Sequence, residues 1–261
     1  MSVELNGRIT GEGSPLILLH GLFGSADNLG AVARGLEDGW QIHALDLRNH
    51  GGSPHADTMD YPSMAEDVLA YMDRQGMDKA AVLGHSMGGK AVMLLALTRP
   101  ELLRRVVVAD IAPVSYGHTQ KMFIDAMRGV DLDSVERRSD AEAQLAEAGV
   151  ERALQSFFPQ SLDLPGKRWR LNLDTLEREM PQIIGWPEDA SGRFDGPTLF
   201  LSGGASDYVR PEHREPIKQM FPAARFAKIP QAGHWLHAEK PREFEAALRV
   251  FLDADLPQDP A

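Results

Sequence analysis

The sequence contains no cysteine. Disulfides, a thiolate nucleophile and cysteine-ligated metals are thereby excluded. It has no apolar run approaching the roughly 18 residues of a membrane-spanning helix. Its start, MSVELNGRIT, lacks the basic opening and apolar centre of a signal peptide. Lys/Arg-rich tracts are missing as well, and 27 basic against 38 acidic residues leave a formal net charge of −11. That balance argues against nucleic acid or an anionic membrane as a partner. These absences predict a cytoplasmic protein acting on a small molecule, and they leave the oligomeric state, monomer or dimer, open.

The 261 residues suit one large α/β domain, with or without an insertion. Short apolar runs alternate with helical patterns. LILL at 16–19, QIHALD at 41–46, AAVLG at 80–84, RVVVAD at 105–110 and TLFLS at 198–202 read as buried strands. Between them, 63–75 predicts a helix with Ser63 and Glu66 at capping-box spacing and Gly76 at its end. Residues 87–98 are apolar nearly all round, a buried helix stopped before Pro100, and 241–252 is amphipathic through Phe244, Leu248 and Phe251 or Leu252. Continuous apolar strands alternating with helices predict a mostly parallel central sheet flanked by helices.

From 114 to 195 the pattern changes. Val150, Ala153, Leu154, Phe157 and Phe158 follow helical spacing, and Pro159, Pro165, Pro181 and Pro187 interrupt the segment. The expected organisation is a core of 1–113 and 196–255, a helical cap inserted at 114–195, and a frayed tail at 256–261.

The chemistry is concentrated in three places. Gly84-His85-Ser86-Met87-Gly88 fits a G-x-S-x-G nucleophile elbow, with an apolar strand before it and a helix after. Its small residues permit a sharp turn that lifts the Ser86 hydroxyl above the sheet, and the Met87 N–H becomes an oxyanion donor. Gly88-Gly89-Lys90 does not make a phosphate loop, because the earlier part of that motif is absent. LLHGLFGS at 18–25 would set the Leu22 N–H opposite that of Met87, with His20 bracing the loop. QAGHWLHAEKP at 231–241 supplies His234, late in the chain as the order Ser, acid, His requires. A neighbouring H-x-x-H-x-E, His234, His237 and Glu239, lacks the H-E-x-x-H metal element, and His237 is expected to pack beside Trp235 and the closing helix.

With these motifs, DLRNHGGSP (46–54), DIAP (110–113), WRLNLD (169–174) and IIGW (183–186), the chain resembles the YbfF-type esterases of the α/β-hydrolase superfamily. The resemblance spans almost the whole chain. It implies the α/β-hydrolase fold and carboxylester hydrolysis of short- to medium-chain acyl esters, with thioesters as substrates of some members. No cofactor and no metal are implied.

The acid is less direct. In LFLSGGASDYVRP, residues 199–211, most members of the superfamily set the acid three residues before the valine. Here Ser206 is three before Val209 and Asp207 two. Asp110 ends a buried strand, and the carboxyl ends of parallel strands are where sites form in open α/β sheets. The resemblance also implies an acid in the DIAP segment, with a Ser in the later turn assisting. The expected assignment is Ser86, Asp110 and His234, supported by Ser206. Asp207 is the alternative acid, and Asp174 is a further candidate whose spacing to Glu177 equally suits a capping box.

Phe23, Phe123, Phe158, Trp186 and Trp235 are candidate acyl-pocket residues. Met64, Met72 and Met93 read as core fillers, and Asp46, Arg48 and Asn49 as loop-fixing residues. The competing functions are thioester or C–C hydrolysis, perhydrolysis, and a non-catalytic protein on the same fold, for binding or as a scaffold. The Ser at the elbow argues against dehalogenase and epoxide hydrolase chemistry.

Overall fold

Alternate residues of each buried run leave a strand on opposite faces, and here both faces are covered. Ile17, Leu19, Val82, Val106, Val108 and Phe200 belong to one core, whereas Leu16, Leu18, Ala81, Leu83, Val107 and Leu199 belong to a second. The computed structural model describes residues 1–254. The proposed frayed tail, 256–261, lies outside the described residues, as does residue 255.

In chain order the elements are β1 (Gly7–Thr10), β2 (Ser14–Leu19), α1 (Gly30–Leu36), β3 (Trp40–Leu45), α2 (Tyr61–Arg74), β4 (Ala80–His85), α3 (Met87–Thr98) and β5 (Leu103–Ala109). Next come α4 (Lys121–Arg128), α5 (Arg138–Glu147), α6 (Arg152–Phe157), β6 (Leu162–Asp163), β7 (Arg168–Trp169), α7 (Leu173–Arg178) and α8 (Met180–Ile184). The chain then returns through β8 (Thr198–Gly203), α9 (Arg214–Met220), β9 (Ala224–Ile229), α10 (Leu236–Glu239) and α11 (Pro241–Leu252). Seven strands form one sheet in the order β1-β3-β2-β4-β5-β8-β9. All neighbours pair in parallel except β1, which runs antiparallel to β3 at the edge.

Met64, Val68 and Met72 of α2 and Met93 of α3 fill the first core; α1 and the Phe244, Leu248, Phe251, Leu252 face of α11 fill the second. The N-terminus of α2 differs from the expected capping box. Asp60 caps it by accepting the Ser63 N–H at 2.7 Å, and Pro62 occupies the first turn, where its missing N–H costs nothing. At the other end Gly76 has φ +65°, the left-handed conformation that ends a helix.

The segment between β5 and β8 carries α4 to α8 and the two-residue ladder β6–β7. It is tied to the sheet region by Asn172 N–H to Asn49 O (3.0 Å), Ser161 Oγ–H to Phe23 O (3.0 Å) and Tyr61 Oη–H to Ile183 O. Asn172 caps α7, while Asp174 and Glu177 both pair with Arg128. The capping box expected of Asp174 and Glu177 therefore starts two residues too late.

Candidate active site

β4 and β5 lie side by side with His85 opposite Ala109, so the residues that follow them, Ser86 and Asp110, emerge at the same sheet edge. Both have φ +52° and both amides stay in register, Ser86 N–H to Ala109 O and Asp110 N–H to Leu201 O, each at 2.9 Å. A left-handed non-glycine residue is uncommon, and held strain of this kind gathers at functional sites. Space around the elbow explains its glycines. A Cβ on Gly84 would stand 2.2 Å from Gly88 O, and one on Gly88 2.6 Å from the Leu19 and His20 carbonyl oxygens.

His234, on the loop after β9, joins the two. Its Nε2 lies 2.9 Å from Ser86 Oγ and its Nδ1 2.8 Å from Asp110 Oδ2. Asp110 is wholly buried, and its carboxylate accepts three donors: Gly203 N–H at 2.9 Å, Ser206 Oγ–H and His234 Nδ1–H. Asp207, the other candidate, is exposed, and its carbonyl accepts Arg210 Nε–H at 3.1 Å. Asp174 is also on the surface, in its ion pair with Arg128.

Two further side chains hold the imidazole. The Tyr208 ring stacks on that of His234, centroids 3.9 Å apart and planes 18° apart. His85 Nε2–H donates to the His234 carbonyl at 2.8 Å, and burial drives the His85 pKa well below its ordinary value, keeping the ring neutral. His237 packs between His85 and Phe244, and burial lowers its pKa to about 4. Glu239 accepts the Gly233 N–H at 2.7 Å. Among the described residues no group of three or more His, Asp or Glu side chains is arranged to hold a metal ion.

The loop carrying Leu22 is fixed from beneath. His20 Nδ1–H donates to Gly21 O and its Nε2 accepts the Leu47 N–H; His50 Nε2 accepts the Phe23 N–H. Arg48 forms a buried pair with Asp67, and Asn49 bonds Thr58 O and Ala56 N–H. Asp46 accepts from Ala26, Gly52 and Asn6; burial alone would raise its pKa, and these donors outweigh it and bring the value below normal. Met87 opens α3, so its N–H has no acceptor within the helix. Leu22 and Met87 both line the cavity above Ser86.

That cavity measures about 340 Å³. Phe23, Phe123, Phe158 and Trp235 line it, together with Ile111, Leu154, Phe157, Ile183 and Ile184, which single-residue reasoning did not select. Trp186 is not among the lining residues: its ring stands beside Tyr61, 6.3 Å between centroids, and its backbone N–H donates to Ser115 Oγ. Trp186 therefore belongs to the support of the wall rather than to the wall. Tyr208 and His85 escaped the sequence because each looks like filler in its motif. Lys90 left a readable signal, as the single charge in MGGKAVMLLALT.

A family model described as alpha/beta hydrolase fold matches residues 14–241. The chain is 40% identical to "Esterase YbfF" of Escherichia coli, over 92% of this chain and 93% of that protein. It is 39% identical to the Mus musculus "sn-1-specific diacylglycerol lipase ABHD11", over 91% of this chain and 80% of that one. Among solved structures, "Marine microorganism esterase" superposes with a TM-score of 0.91 at 38% identity, covering 96% of this chain and all of that one.

Proposed function

The chain belongs to the α/β-hydrolase family, and on that premise we propose that it is a serine carboxylesterase for short- to medium-chain acyl esters. One observation carries the reading: the hydrogen-bonded series Ser86 Oγ, His234 Nε2, His234 Nδ1, Asp110 Oδ2, opening on an apolar cavity. The names of its relatives, esterase and diacylglycerol lipase, point to the same reaction class.

His234 takes the Ser86 proton as Oγ attacks the ester carbonyl. The developing oxyanion is held by the Leu22 and Met87 amides, each such donor being worth about 2.7–4 kcal/mol. Imidazolium His234 returns the proton to the departing alcohol, and a water deprotonated by the same Nε2 then opens the acyl-enzyme. Asp110 fixes the tautomer with Nδ1 protonated and offsets the imidazolium charge. Ser206 and Gly203 fix the carboxylate in turn. Residues 114–195 serve as a cap over the sheet domain, with Phe23, Phe123, Phe158 and Trp235 receiving the acyl group.

A fluorophosphonate probe tests this reading. It should label the native protein and not Ser86→Ala, whose kcat on p-nitrophenyl butyrate should fall by about 10⁴ or more. Absence of labelling would favour a non-catalytic binding protein. Faster turnover of acyl-CoA than of the butyrate ester would favour thioester hydrolysis, and peroxide-dependent peracid formation would favour perhydrolysis.

A further inference from the structure

Lys90 lies one turn beyond the nucleophile, its N–H bonded to Ser86 O at 3.1 Å, and its side chain is almost fully buried. Nothing in the helix itself rewards a cation there. The first turn of α3 carries the positive end of the helix dipole, and burying an ammonium is costly unless its protons are taken up. Burial lowers its pKa to about 7.

Its described partners are neutral and converge from three parts of the chain. Nζ donates to Ile184 O at 2.9 Å and to Gly185 O, at the C-terminal end of α8, where carbonyls lack intrahelical donors. The Tyr116 and Tyr61 rings face it at 4.8 and 5.6 Å, within reach of a cation–π attraction. The same stretch is held at two more points: Tyr61 Oη–H donates to Ile183 O, and Tyr116 N–H to Ile184 O at 3.0 Å. Ile183 and Ile184 are wall residues of the cavity.

We infer that Lys90 is a positioning residue for substrate selection: its caged ammonium fixes the end of α8 to the nucleophile helix and so sets the wall that Ile183 and Ile184 present to the ester. The selectivity half of this inference rests on the esterase reading; the tether itself does not.

Two readouts separate them. Lys90→Met keeps the length of the side chain and removes its charge. Amide hydrogen exchange over 183–186 should then quicken by about tenfold or more. The ratio of kcat/KM for p-nitrophenyl octanoate to that for the acetate should shift by about tenfold, carried by KM. Tyr61→Phe retains the ammonium, loses one tether and should move both readouts in the same direction; it carries the test alone if Lys90→Met does not fold. Wild-type exchange and an unchanged ratio in a folded Lys90→Met protein overturn the inference. So does an equal fall in kcat for all esters, or a loss confined to esters bearing a terminal carboxylate with exchange unchanged. If the native protein hydrolyses no ester, the esterase reading fails while the exchange result still decides the tether.

Discussion

Ser206 Oγ–H points at a carboxylate that already receives the Gly203 amide and the His234 ring, while Asp207, one position on, is exposed. Asp110→Asn should therefore lower kcat by about 10³–10⁴ with the fold intact, and Asp207→Asn should leave it close to wild type. Ser206→Ala removes one hydrogen bond to a charged acceptor and should cost about tenfold. Steady-state kinetics on one ester ranks the three, and the reverse order for the two aspartates would refute the assignment. Tyr208 acts on the other side of the same imidazole. A stacked ring favours the imidazolium that forms during turnover by about 0.5–2 kcal/mol. Tyr208→Leu should thus lose between about threefold and thirtyfold in kcat, with Tyr208→Phe recovering most of it. Burial raises the Tyr208 pKa, with Asp110 adding to the effect, so its hydroxyl stays protonated throughout the assay range.

The turn between β4 and α3 shows what the element scale demands. Gly88→Ala would drive a methyl group to within 2.6 Å of two backbone oxygens of neighbouring β2 and its loop, and backbone cannot step aside as a side chain can. Its cost should be about 1–3 kcal/mol in denaturant unfolding. Gly39→Ala, with nothing within 4 Å of the added carbon, is the control and should be neutral. Elements buried on both faces were the most legible in the sequence: α3 spans 87–98 as its nearly all-apolar character predicts, and β2, β3, β4, β5 and β8 lie where their apolar runs lie. Legibility failed where the signal was local and had a rival. Ser63 and Glu66 fit a capping box, but Asp60 followed by Pro62 starts the helix earlier; Asp174 and Glu177 fit another, but Arg128 claims both. The edge strands β1 and β9 have partly exposed faces and no continuous apolar run. The place of Asp110 was legible because it ends a buried strand, and Trp186 stands outside the cavity lining because aromatic character does not encode direction.

Across the whole molecule, buried bases whose charged forms burial disfavours set the response to pH. Burial holds the folded pKa of His50 at about 3 and of His237 at about 4, against 6.5 unfolded. Between those limits the unfolded chain binds more protons than the folded one, so stability falls as pH falls from about 6.5. Lys90, lowered from 10.5 to about 7, has the same sign in a higher window: the unfolded chain again holds the extra proton, and stability rises with pH between these values. The melting temperature should climb from pH 4 through pH 8, measured by calorimetry. His237→Phe, which cannot be protonated, should flatten the acid part of that climb. A maximum near the acid end would contradict the sign.

The order of strands across the sheet also has a meaning in time. Ser86 and Asp110 leave the ribosome well before β9, the edge strand beside β8, and the loop that carries His234. On the esterase reading, the Ser86 hydroxyl lacks His234 during synthesis and should stay unreactive toward esters. Reactivity should then switch on when the last strand docks and α11 closes over the second core. Fluorophosphonate capture sampled during refolding would then serve as a clock for that final event, advancing only as fast as β9 finds β8.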